Sequence, residues 1–331
     1  MSAAPAPGAT AQAPGDDDAR KVGAHTWTPY ALLTPGLAWL AVFFIVPTVM
    51  LIYMSLSTGS ALAGDGTFTF EWEFANYADA VKEYVVEEPI FQKSLLYALI
   101  ATVLCLAIAY PLAYTIAFKS GRWKNFLLVL VIAPFFTSFL LRTNAWQTIL
   151  SDNGFVVGWM ENLGILDFLH TVVNTPDSWP SWTQVFPDGI TGEDRVLSTP
   201  LAVILGITYN FLPFMTLPLY ASLERIDIRL IEAATDLYSS AWTAFRKVTF
   251  PLSLPGVVAG TLLTFIPAAG DPVNAFLLGS SNDQLIGNAI DSQFKTTGNY
   301  PMAAALSAML MVVIVAMVAL YVRRAGTEEL V

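Results

Sequence analysis

The sequence predicts an all-α, polytopic integral membrane protein with six transmembrane helices. Composition carries part of this: of 331 residues, 55% are hydrophobic and 13% charged, where soluble domains run about 25% charged. Mean hydropathy is +0.57. Charge-free gaps carry the rest. Residues 22–64, 94–118, 196–223, 248–270 and 296–322 lack any Asp, Glu, Lys or Arg, and each gap reaches at least 23 residues. A bilayer span needs about 20 apolar residues. A sixth gap, 125–141, holds 17 residues before Arg142 interrupts an apolar run that continues beyond it. These features exclude a soluble enzyme and a disordered chain. The acidic balance, 16 Lys+Arg against 26 Asp+Glu, excludes a nucleic-acid binder. Cys105 is the single cysteine, so no disulfide scaffold is possible.

Taken in order, residues 1–28 are Ala/Pro-rich, carry Asp16-Asp17-Asp18, and lack the basic segment and cleavage pattern of a signal peptide. They read as a disordered cytoplasmic tail. A six-helix transmembrane body follows over 29–322, with spans near 31–56, 94–118, 126–150, 200–222, 254–278 and 302–322. Loop charges orient them, because Lys and Arg near span ends stay cytoplasmic. With the N-terminus inside, the inner segments hold Arg20, Lys21, Lys119, Arg122, Lys124, Arg225, Arg229, Arg246, Lys247, Arg323 and Arg324. The outer segments hold Lys82, Lys93, Arg195 and Lys295. Both termini, including the short tail 323–331, are therefore expected in the cytoplasm. The outer loops are acidic. Loop 57–93 carries seven acids against two bases, and loop 151–199 carries seven against Arg195. Such loops either keep the outer face soluble or attract cations by field steering. The second also holds Trp159, Trp179, Trp182 and five glycines, and its length predicts short helices on the outer face.

One inner loop differs from the others. Residues 224–253 are amphipathic: Arg229, Glu232 and Asp236 share one helical face, while Leu230, Ala233 and Leu237 lie on another. Ser239-Ser240 can cap a second short helix running to Val248, with Pro251 and Pro255 bounding the next span. By composition alone this is an interfacial helix pair.

The run Glu232-Ala233-Ala234-Thr235-Asp236-Leu237, followed by Phe245, Val248, Pro251-Leu252 and Pro255-Gly256, resembles the EAA motif of ABC-importer permeases. Ser94–Ala98, Tyr110–Tyr114, Pro134–Trp146, Tyr209–Met215, Leu217–Tyr220, Phe265–Ala268 and Leu277–Gly279 extend the likeness over residues 30–322. The subfamily they resemble is the first permease subunit of spermidine/putrescine importers, within the binding-protein-dependent inner membrane components. The resemblance implies a type I ABC-importer permease fold and a cytoplasmic coupling loop, 224–250, docking on an ATPase through Glu232, Ala233, Ala234, Asp236, Leu237 and Tyr238. It also implies partners: a second homologous permease subunit, an ATPase homodimer holding ATP and magnesium, and an extracytoplasmic substrate-binding protein. Two positions depart from the pattern. Tyr238 stands where the family has Gly at the elbow between the two short helices, and Asp271-Pro272 stands where the subfamily has Glu-Phe.

Two charges fall inside spans, Arg142 in the third and Asp271 in the fifth. A charge in hydrocarbon costs several kcal/mol and must face protein or water. Asp271 lies within Pro267-Ala268-Ala269-Gly270-Asp271-Pro272, whose prolines and glycine break a helix and should expose carbonyls to a cavity. It reads as a ligand for a small cationic solute, or as a structural partner of Arg142. Arg142 reads as a structural charge anchoring an outer-loop carbonyl or carboxylate. Trp146, Tyr209 and Asn210 are candidates for the pathway through cation–π and carbonyl contacts; aromatics at span ends also serve as interfacial belt. His25 and His170 are isolated, no metal-ligand cluster is visible, and there is no phosphate-binding loop or nucleophile–base spacing. The chain is thus expected to bind no cofactor, to be no enzyme, and to leave ATP hydrolysis to a partner. It is expected in a bacterial inner membrane. The resemblance implies a polyamine, spermidine or putrescine, as cargo, with amino acid, thiamine or ferric ion as the alternatives and a secondary transporter as the rival class.

Overall fold

The computed structural model describes residues 28–62, 66–152, 154–165, 195–237 and 240–325. The expected tail 1–28 therefore lies almost wholly outside the described residues, as do residues 326–331, Trp179, Trp182, both histidines and Tyr238. Two compact units are present, one ending at Met50 and one running from Leu51.

The charge-free gaps become helices because hydrocarbon offers backbone N–H and C=O groups no partner outside their own ladder. Among the described residues five are long and apolar enough to span: α1 (Leu32–Ser55), α3 (Ile90–Lys119), α7 (Pro200–Glu224), α9 (Ala241–Ala269) and α12 (Tyr300–Arg323). The sixth expected span is a pair, α4 (Gly121–Phe136) and α5 (Phe139–Ile149), meeting at 96°. This corrects the straight helix expected over 126–150. Pro134 lacks an N–H and tightens Ala133–Phe136 into a 3₁₀ turn; Thr137 and Ser138 are then extended, and the Thr137 hydroxyl closes on the Pro134 carbonyl at 2.8 Å.

Between α1 and α3 lies a two-stranded hairpin, β1 (Ser57–Thr58) with β2 (Thr69–Phe70), and a short helix α2 (Ala75–Val81). The all-α expectation omitted this small sheet. In the second outer loop, α6 (Phe155–Asn162) is a short helix of the kind expected there. The remaining elements are α8 (Ile228–Leu237), α10 (Val273–Leu278) and α11 (Ile286–Lys295).

The region around α9 departs from expectation twice. The second short helix is not separate: Ala241–Ala244 runs through a π turn, Phe245–Thr249, into the span. Pro251 and Pro255 therefore sit inside this continuous helix rather than bounding it, Pro251 just past the π turn. At the other end α9 stops at Ala269, short of the expected 278, because Pro272 cannot continue the ladder; α10 starts afresh after it.

Helix α7 is the hub of the second unit and packs on both α3 and α9. On α3 the buried residues Tyr97, Ala101, Cys105, Ala109 and Ala113 recur every four positions, a mostly small stripe that admits a close neighbour. On α9 the sequence Gly256-Val257-Val258-Ala259-Gly260 brings two glycines against α7. A Cβ on Gly256 would lie 2.5 Å from the Ser222 Cβ and 2.7 Å from the Pro218 carbonyl; one on Gly260 would lie 2.8 Å from the Met215 sulfur. Small residues four apart let two membrane helices approach, and there packing must replace the hydrophobic effect.

Candidate functional site

Asp271 occupies the break between α9 and α10 and is 5% exposed. One carboxylate oxygen accepts from the backbone N–H of Val273 at 2.8 Å and of Asn274 at 3.4 Å, capping α10. The other accepts from the Asn274 side-chain amide. Asn274 is fully buried, and its carbonyl oxygen accepts from Asn210 Nδ2 at 3.0 Å and from the Thr143 hydroxyl at 3.5 Å. Asn210 Nδ2 also reaches the Thr143 oxygen at 3.1 Å. Asp271, Asn274, Asn210 and Thr143 thus form one polar seam joining α10, α7 and α5. No Lys, Arg or His nitrogen among the described residues lies within ion-pair distance of Asp271. Asn210 Oδ1 is buried and unbonded. The seam therefore holds a buried carboxylate without an ion-pair partner among the described residues, and a spare acceptor, both of which suit a cation.

The carbonyls of the break are less open than the prolines suggest. Pro272 O accepts from Asn288 Nδ2 at 2.6 Å. Gly287 of α11 presses so close that a Cβ there would lie 2.4 Å from Gly270 O. The open space lies just in front: a cavity of about 710 Å³ bounded by Pro272, Val273, Phe276, Ser280, Asn288 and Asp291.

The other candidate residues separate into groups. Trp146 of α5 and Tyr209 of α7 pack together, ring centroids 5.4 Å apart, both half-buried. Arg142 does not pair with Asp271. Its guanidinium stands over Phe135 and Phe139, 5.6 and 5.7 Å from the ring centres, and its Nε and Nη1 are buried without a hydrogen-bond partner among the described residues. The expected carbonyl or carboxylate anchor is thus absent from those atoms. Two aromatic faces supply the contact, since the bend at Thr137 folds Phe135 back toward α5.

On α8, Glu232, Ala233, Asp236 and Leu237 are exposed, whereas Ala234 is buried. Asp227 starts the helix by accepting from the Arg229 N–H at 3.0 Å. Leu230 and Leu237, the expected apolar face, are 52% and 81% exposed. The face presented outward is therefore mixed, charged and apolar together. Tyr238, the expected elbow, lies outside the described residues. At the opposite end of the helices, Lys93 Nζ donates to Asn282 O at 3.0 Å, Ser94 Oγ accepts from the Ile286 N–H at 2.6 Å, and Tyr97 OH donates to Asp283 at 3.2 Å. These three bonds clamp the 280–286 turn onto α3.

Sequence reasoning missed Asn274, Thr143, the glycine pair and this clamp. Asn274 stands three residues after Asp271, a capping interval that marks it in retrospect. The Gly-x-x-x-Gly spacing was equally visible. Thr143 and the clamp are tertiary and leave no local signal.

The family model "Binding-protein-dependent transport system inner membrane component" matches residues 106–324. The spermidine/putrescine transport system permease protein PotB of Haemophilus influenzae is 32% identical over 286 residues, 86% of this chain and 90% of that protein. Its namesake in Escherichia coli strain K12 is 34% identical over 288 residues, 87% and 94%. A crystal structure of a bacterial ABC transporter involved in the import of the acidic polysaccharide alginate matches with a TM-score of 0.58 and 17% identity, covering 91% of this chain and 95% of that one, a likeness of fold alone. With the family model matched over its central and C-terminal spans and a shared type I permease architecture, the chain belongs to the inner membrane components of binding-protein-dependent transport systems.

Proposed function

We propose that this chain is the first permease subunit of an ATP-driven importer whose cargo is a polyamine, spermidine or putrescine. The observation that carries the cargo is about one-third identity, over nearly nine-tenths of the chain, to permeases named for those two solutes. The site chemistry agrees. A polyammonium chain crossing the membrane needs anionic or π-rich surface to replace lost water. Asp271 supplies a buried carboxylate free of any basic neighbour among the described residues, Asn210 a spare carbonyl, and Trp146 with Tyr209 an aromatic pair. Arg142 stands one turn before Trp146 on the same face of α5, its guanidinium held over Phe135 and Phe139 rather than over the Trp146 ring.

The chain itself carries out no hydrolysis. An ATPase homodimer binds ATP and magnesium in the cytoplasm, a second homologous permease completes the pathway, and an extracytoplasmic protein delivers solute. Both termini face the cytoplasm, with the tail 1–28 and residues 323–331 flanking the membrane domain 29–322. The exposed residues Glu232, Ala233, Asp236 and Leu237 of α8, with the buried Ala234 and the neighbouring Tyr238, dock on the ATPase. Closure of that dimer pushes α8, and because α8 sits between α7 and α9, the push swings α4 to α9 from inward- to outward-facing. Another cargo on the same frame would leave every one of these contacts in place, so the deciding experiment is a solute panel. The complex reconstituted with its ATPase and binding protein should hydrolyse ATP faster with spermidine or putrescine than with amino acids, thiamine or ferric ion. Stimulation by one of the latter alone would reassign the cargo, and transport without any copurifying ATPase would reassign the class.

A further inference from the structure

The cavity of about 710 Å³ in front of the Asp271 break has a wall that the transport route described above does not use. One side is α10 with the backbone of Pro272 and Val273; the facing side is α11 and the 280–284 turn. Among its lining residues there is a single acid, Asp291, and a single base, Lys295. They bind each other: Lys295 Nζ is 2.6 Å from Asp291 Oδ1, one helical turn apart, with side chains 68% and 49% exposed. Phe276 also lines the cavity and is 79% exposed. Ser280, Ser281, Gln284 and Asn288 add neutral oxygens around the rim. The clamp of Lys93, Ser94 and Tyr97 holds the 280–286 turn, so this wall is a fixed surface.

A lysine side chain is an alkylammonium: four methylenes ending in a charged amine. Its bond to Asp291 inside a cavity shows which ligand chemistry that carboxylate accepts. We propose that Asp291 is the carboxylate of an outer alkylammonium subsite, in which Lys295 is a built-in surrogate displaced by an ammonium group of the arriving solute. The ion pair exchanges one ammonium for another, so Asp291 stays paired throughout. The Phe276 face receives the methylenes or a second ammonium by cation–π contact. Pro272 and Val273, which line the cavity, follow Asp271 directly in the chain, so this subsite adjoins the buried seam. The inference rests on the polyamine reading and assigns that reading its first contact in the permease.

The subsite has a signature that a merely structural salt bridge lacks: its two members have opposite effects. In the reconstituted four-component transporter, the concentration dependence of labelled spermidine uptake is measured for three variants. Asp291→Asn should raise KM by about two- to fivefold, the scale of one exposed ion pair. Lys295→Met, which removes the surrogate and keeps its stem, should lower KM by a similar factor. Lys82→Met, which breaks the exposed Lys82–Glu87 pair elsewhere on the chain, controls for bulk field and should leave KM unchanged. Shifts of the same sign for Asp291→Asn and Lys295→Met, no shift in either, or an equal drop in KM for Lys82→Met would each overturn the subsite while polyamine transport by the wild type stands. Failure of the wild type to carry polyamine would remove the functional reading, and the subsite with it.

Discussion

At Asp271 the same atoms serve two purposes. The carboxylate caps α10 through Val273 and Asn274, and its charge has no basic neighbour among the described residues. Replacing Asp271 by Asn separates these roles. Asn is as good a cap as Asp, so the turn into α10 persists, whereas the negative charge disappears. Uptake should then fall at least tenfold, equivalent to about 1.4 kcal/mol, with the assembled complex still recovered by affinity purification. Uptake at the wild-type rate would make the carboxylate a cap only. The sequence shows Asp271 and Arg142 at once, because each is a charge inside an apolar gap. It does not show that they stand apart, nor that Asn210 reaches Asn274 across two helices, since such pairings depend on how the helices turn relative to one another.

Elements were legible where hydropathy alone decides them and illegible where the backbone breaks. Five apolar gaps map onto five helices. The 96° bend between α4 and α5, the fusion of a short helix into α9 by a π turn, and the early stop at Ala269 all occur beside prolines, which a hydropathy window counts as ordinary apolar residues. Helix pairing has its own test at Gly256. Its missing Cβ is what lets α9 lie against Pro218 and Leu219 of α7. Gly256→Leu should push the two helices apart, lower the melting temperature of the purified complex, and cost about 1–3 kcal/mol or more of packing energy; an unchanged melting curve would show that the contact is loose. Helix α8 acts at a different surface. Glu232→Lys reverses a charge on its exposed face and should sharply reduce solute-stimulated ATP hydrolysis while insertion into the membrane stays normal. Normal stimulation in that variant would remove α8 from the coupling interface.

At the scale of the whole molecule, the proposed function gives the two ends of the helical frame different work. The end bearing α8 carries most of the basic residues and the mixed face through which an ATPase can push. The other end carries the acidic residues of 66–93, the clamped 280–286 turn and the cavity beside the break at Pro272. The hub α7 joins them, its Asn210 in the seam and its last turn feeding α8, so that motion at one end reaches the other through a single packed element. The sorting of bases and acids to opposite ends of the spans was visible in the sequence. The cavity was not, because it forms between α10 and α11, two short helices that no apolar gap announces. The central claim is that this frame moves a polyamine at the expense of ATP. Proteoliposomes containing the complete transporter, with binding protein outside and ATP at the ATPase, should accumulate labelled spermidine or putrescine against a gradient, and should stop when ATP is withheld. Accumulation that continues without ATP, or an ATP-driven complex that leaves both polyamines outside while importing another solute, would refute it.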